Sequence, residues 1–268
     1  MYGGFDSNPL MDYELRVSVL TEIMRARPIL FSLLYHTQRL CIRKARAHVN
    51  KNYGGRHLLV RMNEKTLQDG VKRLSDIDPL LRKVVEQYGQ PPLWERKPGF
   101  PSLLKIILEQ QVSLASAQAT YDKLIAKLHV LTPESFLILD DEALKNVGFS
   151  RQKTRYGRIL AKSILDGSLD LSELVNLSDI EVENRLTSIT GIGIWTARIY
   201  LLMALGRPDI WPRGDLALNK ALMDVKGLEN VPYNEVADKI ADCWRPYRSV
   251  AARILWHYYL NARDRLSG

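Results

Sequence analysis

The stretch that decides the fold, residues 189–220, reads ITGIGIWTARIYLLMALGRPDIWPRGDLALNK. Gly191 and Gly193 flank an isoleucine, and an apolar helical pattern follows them. That pattern stops at a proline-containing loop that carries one acid, Asp215. Glycines tolerate positive φ angles, and the unsatisfied N–H groups at the start of a helix attract anions. The stretch predicts either a plain helix–turn–helix connection or a turn that binds a phosphate.

The sequence around this stretch predicts an all-α protein. Apolar residues recur at helical spacing from Met62 onward, and long alternating runs of Val, Ile and Thr are lacking. Helix starts are indicated by Ser113, by Thr132 with Pro133, by Ser150, and by a capping box of Ser178 with Glu181. We therefore expect many short helices joined by short loops.

The charge of the chain is unevenly distributed. The formal net charge is +8 over 268 residues, and residues 1–61 contribute +6 of it. A nucleic-acid interface in the rest of the chain must therefore depend on local patches. Because the helical pattern begins at Met62, we predict that residues 1–61 are an N-terminal extension and that the folded core is residues 62–268.

Composition also argues against two classes of protein. No apolar run reaches the roughly 18 residues that a membrane helix needs. The two cysteines, Cys41 and Cys243, are too few for a zinc or iron–sulfur site. We expect an intracellular protein with no membrane association and no catalytic metal.

One predicted helix has a basic face. In SRQKTRYGRILAK, residues 150–162, basic residues recur every three or four positions, namely Arg151, Arg155, Arg158 and Lys162. Such a face is usually only solvated. Beside a phosphate site, it would contact nucleic acid.

Five segments together resemble a known family. LTSITGIGIWTARI, residues 186–199, resembles the helix–hairpin–helix of DNA base-excision glycosylases, and WPRGDLALNK, residues 211–220, resembles their loop with the catalytic aspartate. Segments 107–124, 148–160 and 243–259 resemble the 3-methyladenine DNA glycosylase II branch, and they occur in a matching order. The resemblance implies an all-α fold with two helical subdomains flanking a cleft. It places the hairpin motif at about residues 179–205.

The resemblance identifies Asp215 as the catalytic residue. Hydrolysis of an N-glycosidic bond creates positive charge on the sugar, so a nearby carboxylate lowers the barrier and can orient or deprotonate the attacking water. A Gly-Asp pair before LALNKAL is also typical of an ordinary helix N-cap. Both roles can coexist in one side chain.

The resemblance also implies a base pocket and a reaction type. Members that cut the DNA strand carry a lysine two residues after the second hairpin glycine, where this chain has Trp195. A monofunctional glycosylase without AP lyase activity is implied. Trp195 and Trp256 match pocket positions, and aromatic rings attract cationic alkylated purines. Ile199 stands where the branch often has tyrosine, so the preferred lesion stays open.

The remaining implied residues contact DNA. The hairpin contributes Gly191, Ile192, Gly193 and Thr196, the basic helix contributes Arg151 and Arg155, and Gln111 matches the wedge that fills the gap left by the flipped nucleotide. Carbonyls near Thr187, Ile189 and Gly191 could hold a monovalent cation, and no other cofactor is expected. The expected partner is double-stranded DNA containing damaged bases, bound by a monomer.

Three functional hypotheses follow from the sequence. The first is a glycosylase that excises alkylated purines in base-excision repair. The second is a helix–hairpin–helix module that binds DNA without catalysis. The third is a glycosylase for deaminated or mismatched bases, which would recognise a neutral base by hydrogen bonds rather than by stacking on a cation.

Overall fold

The computed structural model of the protein describes residues 61–267, with side chains as far as residue 263. This part of the chain is helical and contains no β-strand. A 3₁₀ turn covers Glu173–Asn176, a second covers Asp242–Trp244, and a π-helical turn, Tyr200–Ala204, continues the helix Ile194–Ile199. The α-helices are α1 (Glu64–Ile77), α2 (Pro79–Tyr88), α3 (Phe100–Glu109), α4 (Leu114–Leu128), α5 (Pro133–Ile138), α6 (Asp141–Val147), α7 (Arg151–Leu165), α8 (Asp179–Thr187), α9 (Ile194–Ile199), α10 (Leu216–Lys226), α11 (Glu235–Ala241) and α12 (Arg248–Ser267).

The helices begin where the sequence signals place them. The side chains of Ser113, Thr132 and Ser150 accept hydrogen bonds from the first turns of α4, α5 and α7. Ser178 and Glu181 form the predicted capping box of α8. Each cap satisfies N–H groups that have no partner within the helix, and this fixes where the helix starts.

The helices pack in two groups. Helices α2 and α12 contact each other and both contact α1 and α10, and helices α3 to α7 form a second set of neighbours. Helix α9 and its π-helical continuation contact α3, so the hairpin is attached to the second group. The all-α fold is confirmed. The predicted extension, residues 1–61, lies outside the described residues except for Arg61.

A buried arginine fixes α12. Arg253 is 1% exposed and donates to the carbonyl oxygens of Leu93, Ser249 and Leu202 at 2.8–3.1 Å. Burial lowers the pKa of its guanidinium to about 10, against the attraction of Glu64, which raises it. These bonds tie α12 to the segment before α3 and to the π-helical turn. The same hydrogen bonds hold the part of α12 that carries Trp256, one turn further along.

Asp78 connects the junction of α1 and α2 to the end of α10 and to the 3₁₀ turn Asp242–Trp244. It joins α1 to α2, and its Oδ2 accepts from Lys226 Nζ at 2.6 Å and from Trp244 Nε1 at 2.8 Å. Burial raises the pKa of this carboxyl, but the charge of Lys226 and the hydrogen bonds outweigh burial, so the pKa lies below its usual value. The carboxylate therefore stabilises the fold.

Asp78→Asn is expected to lower the free energy of unfolding by about 3 kcal/mol at neutral pH, because Lys226 keeps its buried charge and loses its partner. The wild-type stabilisation is complete above the unfolded-state pKa of 3.8 and is lost as the pH falls through the lower folded-state pKa. Urea unfolding at neutral and acidic pH measures this difference. The variant Asp69→Asn, which changes an exposed carboxylate of α1, is the control. Equal stability of wild type and Asp78→Asn at neutral pH would contradict the prediction.

None of the helices in the described part of the chain is both long and apolar enough to cross a membrane.

Candidate active site and nucleic-acid interface

Asp215 lies at the start of α10. It is the N-cap residue, and its Oδ1 accepts from the N–H of Leu218 at 2.8 Å. The preceding Gly214 has a φ of +84°, which turns the loop into the helix. The side chain is only partly buried. The carboxylate is thus fixed by the helix and remains accessible to a ligand.

Two tryptophans donate to the same carboxylate. Trp195 Nε1 donates to Asp215 Oδ2 at 3.0 Å, and Trp256 Nε1 donates to Oδ1 at 3.2 Å. Trp195 lies in the first turn of α9 and is half-buried, whereas Trp256 lies on α12 and is 9% exposed. The structure therefore brings together the predicted catalytic aspartate and both predicted pocket tryptophans. Their edges, rather than their faces, meet the carboxylate.

The loop before Asp215 is anchored at several points. The buried Arg207 donates to the carbonyl oxygens of Val175 and Leu177 at 2.9 Å. Asp209 pairs with Arg248 at the start of α12 at 2.8 Å. Arg213, two residues before Asp215, pairs with Asp238 of α11 at 3.0 Å. These contacts explain how an irregular segment can hold a carboxylate in a fixed place.

The two hairpin glycines play different parts. Gly191 has a φ of +100°, and a Cβ there would lie 2.3 Å from Tyr156 Cγ of α7, so the ring of Tyr156 packs against the hairpin backbone. Gly193 is exposed, has an ordinary φ of −91°, and is the N-cap of α9 with no side-chain cap. Apart from neighbouring residues of its own chain segment, no described atom lies within 4 Å of where its Cβ would be. Gly191 therefore serves packing, and Gly193 leaves open the space in front of the helix N-terminus.

Three apolar or hydroxyl residues of the hairpin are buried, whereas Ile194 is 46% exposed. Ile192 is 4% exposed and Thr196 is 2% exposed, while Ile199 at the end of α9 is 3% exposed. A DNA contact at Thr196 would therefore use the backbone N–H rather than the side chain, whereas the N–H of Ile192 already donates to the carbonyl oxygen of Ile189. The side chain of Ile199 belongs to the core, and its share in a base pocket stays a prediction.

A glutamine attaches the hairpin to α3. The amide of Gln110 donates to the carbonyl oxygen of Gly191 at 3.0 Å and to Thr196 Oγ1 at 2.9 Å. Sequence reasoning passed over Gln110 in favour of Gln111, its neighbour. The Gln110 contacts connect the turn after α3 to both ends of the hairpin loop.

Gln111 occupies the tip of that turn. It is exposed and has a φ of +56°, a value that residues other than glycine rarely adopt. Strained backbone of this kind is concentrated at functional sites. Val112, next to it, is also exposed. The predicted wedge therefore has a protruding position, although its insertion into DNA stays a prediction.

The basic face of α7 is only partly available. Arg151 and Arg155 are exposed, but Arg158 pairs with Asp141 at 2.7 Å and donates to the carbonyl oxygen of Leu139. Tyr156, on the same helix, accepts from Gln152 and packs against Gly191. Arg155 is adjacent in sequence to Tyr156, which contacts the hairpin. Arg158 instead joins α7 to the start of α6 and to the segment before it.

Two carbonyl oxygens of the predicted cation site each accept one hydrogen bond. The carbonyl of Ile189 accepts from the N–H of Ile192 at 3.0 Å, and that of Gly191 accepts from Gln110. Each carbonyl has a second lone pair, so a monovalent cation there stays a prediction. Among the described residues, no cluster of His, Cys, Asp and Glu has the arrangement of a metal site.

Residues 104–246 match the family model described as HhH-GPD superfamily base excision DNA repair protein. The matched range includes most of α3, the hairpin and Asp215. The chain belongs to this superfamily.

Individual members of the superfamily are similar over most of the described chain. The alkylbase DNA glycosidase-like protein mag2 of Schizosaccharomyces pombe is 30% identical over 192 residues, which are 69% of this chain and 90% of that protein. The putative DNA-3-methyladenine glycosylase YfjP of Bacillus subtilis is 29% identical, over 66% of this chain and 64% of its own length. The chain therefore spans somewhat less than two thirds of YfjP.

A solved structure shares the fold. The 3-methyladenine DNA glycosylase Mag1 of Schizosaccharomyces pombe, solved in complex with abasic DNA, matches with a TM-score of 0.65 and 27% identity. The match covers 70% of this chain and 95% of Mag1. The four segments between residues 107 and 220 lie within the range matched by the family model, and the fifth begins at its end.

Proposed function

We propose that the chain is a monofunctional DNA N-glycosylase that removes alkylated purines. The observation that carries the proposal is the carboxylate of Asp215, which lies beside the hairpin and accepts from the indoles of Trp195 and Trp256. A repair superfamily with members named for 3-methyladenine supports the same function.

The reaction follows from the chemistry of Asp215. The bond between C1′ of the sugar and the base nitrogen breaks, and the base leaves with the bonding electron pair. A base that is already cationic leaves as a neutral molecule, so no general acid is needed. The carboxylate stabilises the positive charge that develops on the sugar. It also orients the water that attacks C1′ and accepts its proton.

The residue at Trp195 favours hydrolysis over strand cleavage. A Schiff base with C1′ requires an amine, and the indole of Trp195 provides none. The product would be an abasic site in an unbroken strand. The partner would be double-stranded DNA that carries a damaged base. One copy of the chain would bind it.

The test uses a duplex with a single N7-methylguanine. We expect release of the free base, an intact strand until alkali is added, and no covalent complex after treatment with borohydride. Duplexes with hypoxanthine or uracil serve as comparisons. Release from these duplexes alone would support a glycosylase for deaminated bases. DNA binding with no release from any duplex would support a noncatalytic module.

A further inference from the structure

The carboxylate of Asp215 has more donors than an N-cap requires. Oδ1 accepts from Leu218 N–H and from Trp256 Nε1, whereas Oδ2 accepts from Trp195 Nε1. A carboxylate offers about four lone-pair sites, two on each oxygen. Oδ1 is therefore fully used, and Oδ2 retains one site.

The two tryptophans reach Asp215 from different elements. Trp195 belongs to the hairpin and Trp256 to the C-terminal helix, and they lie 20 and 41 residues from Asp215 in sequence. A hydrogen bond to an ionised group is shorter and stronger than one between neutral groups. The three donors therefore fix the rotation of the carboxylate about its own axis, which the N-cap bond alone does not.

We infer that Trp195 and Trp256 are positioning residues for Asp215, acting through their indole N–H groups, and that Oδ2 is the oxygen that faces the reacting sugar and water. This inference rests on the proposed function. It goes beyond a stacking role, because the edges of the rings orient the acid while the faces remain available to a base. Trp195 contributes more than Trp256, since Oδ2 has no other described donor whereas Oδ1 keeps Leu218.

The hydrogen bonds themselves are tested in the DNA-free protein. The chain has five tryptophans, so a ¹H–¹⁵N spectrum contains five indole signals. Asp215→Asn is expected to move the signals of Trp195 and Trp256, because the amide is neutral and has a single acceptor oxygen, so it cannot accept from both indoles and any bond that remains is weaker. The signals of Trp211 and Trp244, which pack against each other, should stay in place. Unmoved signals of Trp195 and Trp256 would overturn the inference whatever the activity of the wild type.

The effect on catalysis is tested with benzothienylalanine at position 195 or 256. This residue keeps the size and face of the indole but replaces its N–H with sulfur. We expect the single-turnover rate of base release to fall roughly 10-fold or more, and further at position 195 than at position 256. The dissociation constant for DNA should change by less than about twofold, since the stacking faces are retained.

The matched control is the same replacement of Trp244, whose N–H donates to the carboxylate of Asp78 at 2.8 Å. It should reduce thermal stability and leave the rate of base release unchanged. Wild-type rates at positions 195 and 256, or a loss of DNA affinity without a loss of rate, would overturn the inference. A wild-type protein that releases no base would instead refute the proposed function, and the indole spectrum would still decide whether the hydrogen bonds exist.

Discussion

Asp215→Asn is expected to lower the single-turnover rate of base release by about 10³-fold while DNA affinity changes little. Loss of the negative charge removes the stabilisation of the positively charged sugar and the acceptor for the proton of water. Asparagine is as good an N-cap as aspartate, so α10 should still start at the same place. Rates are measured with excess enzyme on a duplex containing one N7-methylguanine.

The control for this experiment is Asp224→Asn, which removes an exposed carboxylate from the same helix. It should retain the wild-type rate. Thermal unfolding and binding to a duplex with a tetrahydrofuran abasic analogue show whether each variant is folded and competent to bind. An Asp215→Asn variant that retains the wild-type rate would place the catalytic group elsewhere.

The second large effect is expected at the hairpin glycines. Gly191→Ala should lower the free energy of unfolding by about 3 kcal/mol, because alanine is strained at a φ of +100° and its Cβ would collide with Tyr156. For a domain of this size the corresponding fall in Tm is roughly 6–12 °C. Differential scanning calorimetry measures it directly.

Gly193→Ala provides the matched comparison. Its φ suits alanine and its Cβ would contact no described atom, so Tm should stay within about 2 °C of the wild-type value. The methyl group would instead occupy the space in which a phosphate approaches the N–H groups of α9. Loss of a hydrogen bond to a charged group corresponds to about a tenfold weaker affinity for the abasic-analogue duplex. Unchanged affinity would show that this turn does not hold a phosphate.

Local features of the fold could be predicted because their causes are local. The caps at Ser113, Thr132 and Ser150 act on N–H groups only three residues away, so the sequence carries both partners. The limits of α3 were harder to predict. Helical spacing places Gln111 on the same side as Leu104 and Leu108, but the helix ends at Glu109. Gln110, rather than Gln111, binds the hairpin.

The site could be predicted only in part, because its contacts are long-range. The resemblance to a family indicated Asp215, Trp195 and Trp256, but neither periodicity nor spacing reveals that both indole N–H groups point at one carboxylate. The ring of Tyr156 against Gly191 is a similar case. A helical pattern assigns Tyr156 to a buried face and gives no sign of which backbone covers it.

In the proposed reaction, Asp215, held by Trp195 of the hairpin and by Trp256, promotes hydrolysis of the bond between an alkylated purine and its sugar. The most direct test is mass spectrometry of the products after incubation of the protein with methylated double-stranded DNA. We expect free methylated purines, an equal number of abasic sites and unbroken strands. Methylated purines that remain attached to the DNA, or strands cut at the abasic sites, would contradict it.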